Sequence, residues 1–125
     1  MQVELGIDIV NVKRMKQLIQ KQGDTFLLRL FSDEEIAYCR ERRRHAYESF
    51  AARFAAKEAC IKAFGGTQAS LTYKDIVVRN NADGRPSLSV AADILRRFNV
   101  EGISVSLSHE KEFAVASVCV MRKDA

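Results

Sequence analysis

Four residues of this sequence have the types that acid–base and ion-binding chemistry uses: Asp8, Glu58, Lys62 and His109. Glu58 and Lys62 lie one turn apart in the run Arg53-Phe54-Ala55-Ala56-Lys57-Glu58-Ala59-Cys60-Ile61-Lys62-Ala63-Phe64, which has little to break a helix and is closed by Gly65-Gly66. At about 100° per residue they share a stripe with Ala51, Phe54, Ala55 and Ala59. That stripe is expected to face the core, with Arg53, Lys57 and Ala56 pointing the other way. The plain alternative is an i,i+4 ion pair on a solvated face, worth a few tenths of a kcal/mol. A buried position argues for more, because burying two charges costs several kcal/mol per ion unless partners compensate. A metal ion and an anionic ligand would compensate both.

Asp8 supplies a second carboxylate from a separate element, although an acid at a strand end also reads as a helix cap. Two carboxylates suit magnesium, which takes a few protein oxygens and leaves the rest of its shell to water and substrate phosphates. Two histidines and three scattered cysteines give a softer metal no site. Lys62 and the basic block Arg40, Arg42, Arg43, Arg44 could hold a phosphorylated ligand. His109 could reach a phosphate, or simply be a turn residue hydrogen-bonded locally. Neither a Walker motif nor a GxGxxG fingerprint is present.

Several elements must position these groups. Residues 3–10 alternate as a strand with Val3, Leu5, Ile7 and Ile9 on one face, and Asp8 on the other, two residues from a glycine at which something can approach closely. Asn11 caps a helix that turns Val12, Met15, Leu18 and Ile19 inward and stops at Gly23. Thr25 to Phe31 forms a short helical segment. Ser32-Asp33-Glu34-Glu35 has the form of a capping box and starts another helix, which runs into the block Arg40, Arg42, Arg43, Arg44. The central helix begins near Tyr47. In the second half, Ile76–Val78 and Ser87–Val90 are strands joined by a turn-rich loop, and Ala91–Phe98 has helical spacing. Ile103, Val105 and Leu107 alternate with serines in a strand ending at His109. Phe113–Met121 is a nearly continuous apolar strand, expected at the sheet centre. The fold class is α+β, a mainly antiparallel sheet with helices packed on one side, in a single domain over residues 1–125.

Composition sets bounds. At 125 residues, 47% hydrophobic and 29% charged, the chain is an ordinary soluble domain. It has no apolar run of about 18 residues and no basic-then-apolar leader at its start, so a cytoplasmic protein is expected, without a membrane segment. The net charge of +4 is gathered on Lys13, Arg14, Lys16 and Lys21 and on the arginine block, which suits an acidic partner or a phosphate-rich ligand. No zinc finger, RNP-type aromatic motif or tryptophan points to nucleic acid.

Four stretches together resemble bacterial holo-acyl-carrier-protein synthases, the small 4'-phosphopantetheinyl transferases. They are Gly6-Ile7-Asp8-Ile9-Val10, Arg53-Phe54-Ala55-Ala56-Lys57-Glu58-Ala59 with Lys62-Ala63, Asp83-Gly84-Arg85-Pro86, and Val105-Ser106-Leu107-Ser108-His109. The resemblance spans the chain in order and implies the fold of that family. It also implies transfer of 4'-phosphopantetheine from coenzyme A to a serine of apo acyl carrier protein, dependent on magnesium, with release of adenosine 3',5'-bisphosphate. By matching motif, Asp8 and Glu58 would ligate magnesium and Lys62 would contact the transferring phosphate. His109, Arg53 and Arg44 would meet coenzyme A phosphates, and Gly84, Arg85 and Pro86 would lie near its adenine. Arg14 would meet the acidic carrier helix. The general base stays open between Glu58 and a metal-bound water. The resemblance further implies a homotrimer with active sites between subunits. The alternative is a basic module that binds an acidic protein or coenzyme A without turnover.

Overall fold

A computed structural model describes residues 1–124, which alternate strands and helices as expected. Strand β1 (Gln2–Asn11) leads into helices α1 (Val12–Gln22), α2 (Asp24–Leu30), α3 (Asp33–Glu41) and the long α4 (Ala46–Ala63). The hairpin β2 (Ile76–Asn80) and β3 (Pro86–Val90) follows, then α5 (Ala92–Arg97), β4 (Val100–His109) and β5 (Phe113–Arg122). Short 3₁₀ turns at Arg43–His45, Gly66–Ala69 and Tyr73–Asp75 complete the path. The anticipated stop signals are present. Asn11 Oδ1 accepts from the Arg14 backbone N–H at 2.9 Å. Ser32 and Glu35 form a reciprocal capping box. Gly65 and Gly66 both take positive φ (115° and 75°) just past α4.

The strands form two antiparallel units rather than one: a three-stranded sheet in the order β1-β5-β4, and the separate β2-β3 pair. β5 is central, as its continuous apolar character implied. Along it Ala114, Ala116, Val118 and Val120 are fully buried beneath α4. β4 begins earlier than its alternation suggested, with a register irregularity between Val100 and Gly102.

The helices cover one face of the sheet, and the chain leaves the other bare. Val3, Leu5, Ile7 and Ile9 on β1 are 55–72% exposed and look outward. The side of β1 that faces the helices is the less apolar one, with Gly6 buried on it. The reason is distance. A Cβ added at Gly6 would sit 1.8 Å from the Ala59 carbonyl oxygen, so α4 lies directly on the strand backbone. Alanines at 55, 59 and 63 make the same approach possible from the helix side.

Helix α4 also departs from a one-faced reading. Ala51, Ala55 and Ala59 are buried as expected, yet Ala56, Lys57 and Arg53 are buried too, at 0%, 0% and 4% exposure. Phe54 and Glu58 are half-buried, and Lys62 lies exposed at the rim. The cause is that α4 is enclosed by β1, β5, β4, β2, α1 and α3, so its supposed outer side is covered as well. Lys57 is tolerated there because its ammonium finds four acceptors: Leu30 O (2.8 Å), Glu35 Oε1 (2.8 Å), Tyr73 O (3.0 Å) and Ile76 O (2.7 Å). Glu35 in turn accepts the backbone N–H of Ser32 at Oε1 and of Val78 at Oε2, both at 2.8 Å. Burial pulls the Lys57 ammonium below its ordinary range, against the raising effect of Glu35. Cys39 and Cys60 are buried small side chains, each pushed up to about 12 chiefly by burial. Cys119 is only half-buried.

Candidate functional site

Asp8 and Glu58 meet. Asp8 projects from the helix side of β1, and Glu58 from the edge of α4. Both line a groove of 580 Å³ whose walls include Asn11, Arg14, Phe54 and Phe113. The Gly6 approach explains the meeting, because it presses the middle of α4 onto the strand two residues before Asp8. Lys62, one turn beyond Glu58, donates to Asp8 Oδ1 at 3.0 Å and to the Ile7 carbonyl at 2.9 Å. The Tyr73 hydroxyl donates to Glu58 Oε1 at 2.8 Å, and its ring packs on Phe54 with centroids 5.5 Å apart. Burial, then the bond to Glu58, push the Tyr73 phenol up to about 12. Arg14 stands exposed on α1 at the groove wall, within reach of anything docked on that helix.

The donor set can be tested against a cation. Among the described residues no group of three or more His, Cys, Asp or Glu converges, so a metal relying on several protein ligands has no site. Two hard carboxylate oxygens on an open groove fit magnesium, which keeps positions for water and phosphate.

Arg53 and His109 lie elsewhere. With Tyr38, Asn80, Pro86 and Leu107 they line a smaller depression of 160 Å³. The Arg53 guanidinium stacks 4.0 Å over the Tyr38 ring and donates to Asn80 Oδ1 at 2.6 Å. Among the described residues, Arg53 Nε is a buried N–H without an acceptor. Such a group is costly unless a ligand completes it. His109 Nδ1 is 3.2 Å from Glu48 Oε1, and the other Glu48 oxygen is 2.9 Å from His45 Nδ1. Arg44 Nε reaches His45 Nε2 at 3.2 Å. The bond from His45 is the main reason that the Glu48 carboxyl lies below its usual range, with His109 adding to it. Beside this depression, Arg85 and Pro86 border a third hollow with Asn81 and residues 103–107 of β4. Gly84, at φ 87°, makes the turn that leads into it, and its carbonyl accepts from Asn80 Nδ2 at 3.1 Å.

The residues singled out in the sequence therefore fall into two sets within one chain. Asp8, Glu58 and Arg14 share the first groove, with Lys62 bonded to Asp8 beside it. Arg53, Arg85, Pro86 and His109 line the other hollows, with Gly84 in the adjoining turn and Arg44 linked to His109 through His45 and Glu48. Sequence reasoning missed Tyr73, Tyr38, Asn80 and Glu48, all of which touch site residues. The bonds of Tyr73 to Glu58, Asn80 to Arg53 and Glu48 to His109 span 15, 27 and 61 positions, beyond any local pattern. Only Thr72-x-x-Asp75 left a sign, as a cap that fixes the turn holding Tyr73.

Known proteins share the sequence and the fold. The sequence profile of the 4'-phosphopantetheinyl transferase superfamily matches residues 4–118. A holo-acyl-carrier-protein synthase of Koribacter versatilis is 44% identical over 117 residues, spanning 90% of this chain and 93% of the relative. That of Carboxydothermus hydrogenoformans is 43% identical over 122 residues, spanning 95% and 97%. Among solved structures, the Helicobacter pylori holo-acyl-carrier-protein synthase in complex with coenzyme A superposes with a TM-score of 0.85 at 33% identity, covering 94% of this chain and 99% of that one. The Neisseria meningitidis enzyme gives 0.85 at 29% identity, covering 95% and 98%. On these grounds the chain belongs to the 4'-phosphopantetheinyl transferase superfamily and groups with its holo-acyl-carrier-protein synthases.

Proposed function

We propose that the chain transfers 4'-phosphopantetheine from coenzyme A to a serine hydroxyl of apo acyl carrier protein, in a magnesium-dependent reaction. The observation that carries this reading is the pairing of Asp8 and Glu58 on one groove, with the Lys62 ammonium on Asp8. Asp8 and Glu58 would hold the cation, which when bound supplies charge neutralisation along the diphosphate. Phosphoryl transfer through a loose transition state needs positioning and charge stabilisation more than covalent help from the protein. Lys62 sits at the rim, where it can exchange Asp8 for a phosphate oxygen. The serine Oγ forms a bond to the phosphorus next to pantetheine, and the bond from that phosphorus to the bridging oxygen breaks. The leaving group is adenosine 3',5'-bisphosphate. The serine proton is taken up at this groove, by the Glu58 carboxylate or by a water beside it. Arg53 Nε, His109 and Arg44 provide donors for the remaining phosphates, with Gly84, Arg85 and Pro86 near the adenine. Arg14 meets the acidic carrier.

We also infer that three copies assemble through the bare sheet face. The row Val3, Leu5, Ile7, Ile9 is a contiguous apolar surface of the kind that soluble monomers rarely leave open. Assembly would bring the Arg53–His109 hollow of one subunit toward the Asp8–Glu58 groove of another, uniting the two residue sets. No helix among the described residues is long and apolar enough to cross a membrane. The test is mass spectrometry of an apo carrier protein incubated with coenzyme A, magnesium and the chain. The phosphopantetheine adduct is expected with wild type and absent with Asp8→Ala or Glu58→Ala of native fold. Undiminished modification by both variants refutes the ligand assignment.

A further inference from the structure

Glu58 sits on a half-exposed helix edge, and its long side chain has rotamers that would turn the carboxylate away from Asp8. What holds it is a side chain from a distant segment. The Tyr73 hydroxyl lies 2.8 Å from Glu58 Oε1. Tyr73 is itself fixed at every point. Its ring packs against Phe54, one turn before Glu58 on the same helix. Its backbone carbonyl accepts the buried Lys57 ammonium at 3.0 Å. Consecutive residues of α4 thus grip one tyrosine, Lys57 by the main chain and Glu58 by the hydroxyl. The turn around it is closed by Thr72, which donates from N and Oγ1 to Asp75 Oδ2 at 2.7 and 3.0 Å. Lys74 ties the same turn to the Leu28 and Phe31 carbonyls at 3.0 and 3.1 Å.

We propose that Tyr73 is a positioning residue for Glu58: its hydroxyl occupies Oε1 and thereby aims Oε2 into the groove that Asp8 shares. This rests on the reading of Glu58 as a cation ligand given above. A phenol donor suits the task, because it engages one oxygen of the carboxylate without neutralising it. Partners of this kind fix the orientation of a metal ligand, and removing one typically weakens metal binding about 10–100-fold.

The test is Tyr73→Phe, which keeps the ring against Phe54 and the carbonyl on Lys57 and removes only the hydroxyl. Mn2+ serves as the probe, titrated against the protein with coenzyme A present and followed by the electron paramagnetic resonance of free Mn2+. The expected result is a rise in the Mn2+ dissociation constant of about 10–100-fold, with a melting temperature within about 2 °C of wild type. Carrier modification should need more magnesium for half-maximal rate, while the rate at saturating magnesium recovers most of its wild-type value. In a Glu58→Gln background the same substitution should add nothing. Wild-type Mn2+ affinity in Tyr73→Phe overturns the proposal. So does an equal loss from Tyr73→Phe in the Glu58→Gln background, since a general packing defect would act without Glu58. If Glu58→Gln alone leaves Mn2+ affinity unchanged, the ligand reading fails and this inference falls with it.

Discussion

Gly6→Ala should damage both fold and chemistry through one displacement. The added Cβ would lie 1.8 Å from the Ala59 carbonyl oxygen and 2.9 Å from both Ala59 C and Ala63 N. A carbon–oxygen pair needs well over 3 Å, so α4 and β1 must separate by roughly 1.5 Å, and the obstructing atoms are backbone that no rotamer change can clear. Overpacking of a close interface costs about 1–3 kcal/mol, and a backbone clash belongs at or above the upper end. That corresponds to a fall in melting temperature of roughly 10 °C for a domain of this size. The displaced residues, Ala59 and Ala63, sit directly beside Glu58 and Lys62. A misplacement on the order of 1 Å can lower a rate about 100-fold, so the surviving folded fraction should also modify carrier protein slowly. Urea unfolding gives the first quantity, and initial rates at a temperature where the variant is fully folded give the second. Gly102→Ala is the control: its Cβ would meet only the mobile tip of Met121, at 2.9 Å, and should cost little. A Gly6→Ala protein with wild-type stability and rate would refute the claim that close backbone contact sets the distance between the two carboxylates.

Lys57→Met should destabilise the protein by roughly 3–5 kcal/mol in chemical denaturation, because it strands the Glu35 charge in the interior; pairing it with Glu35→Leu should recover much of the loss. Glu48 titrates below its ordinary value of 4.5 in the folded chain, so its stabilising contribution is present above that pH and disappears as pH falls through the lowered value. The gap in melting temperature between wild type and Glu48→Gln should therefore be widest above pH 4.5 and close in acid; a gap that widens in acid contradicts the bonding described for His45 and His109. Ile7→Asp on the bare sheet face should yield monomers by light scattering with the helical circular dichroism retained, and with little carrier modification. An active monomer would rule out a shared site.

Local signals in the sequence were enough for most elements, whereas joining Asp8 to Glu58 rests on what a hard cation needs and on the family resemblance. The Asn11 and Ser32 caps, the glycine stops and the period-2 alternation of β1 and β4 act over a few residues, and the structure obeys them. Alternation says that β1 has two unlike faces, as it does, but not which one meets the protein, and here the apolar row looks outward because Gly6 lets the helix take the other side. The one-faced stripe expected for α4 fails, because the helix is enclosed and Lys57 is internal. Tyr73, Glu48 and Asn80 were out of reach because their roles depend on contacts made after the chain has folded back on itself.

The enclosure of Lys57 has a further effect on its neighbour. Adjacent helical residues point about 100° apart, so the heading of residue 58 follows from that of residue 57. An ammonium seated among three carbonyls and a carboxylate tolerates almost no swivel of the rod that bears it, since any turn would drag charge across aliphatic surface. The adjoining acid inherits that bearing. An internal cation with no part in the reaction thus works as a key in a shaft, and the run Lys57-Glu58 encodes both the key and the direction it sets.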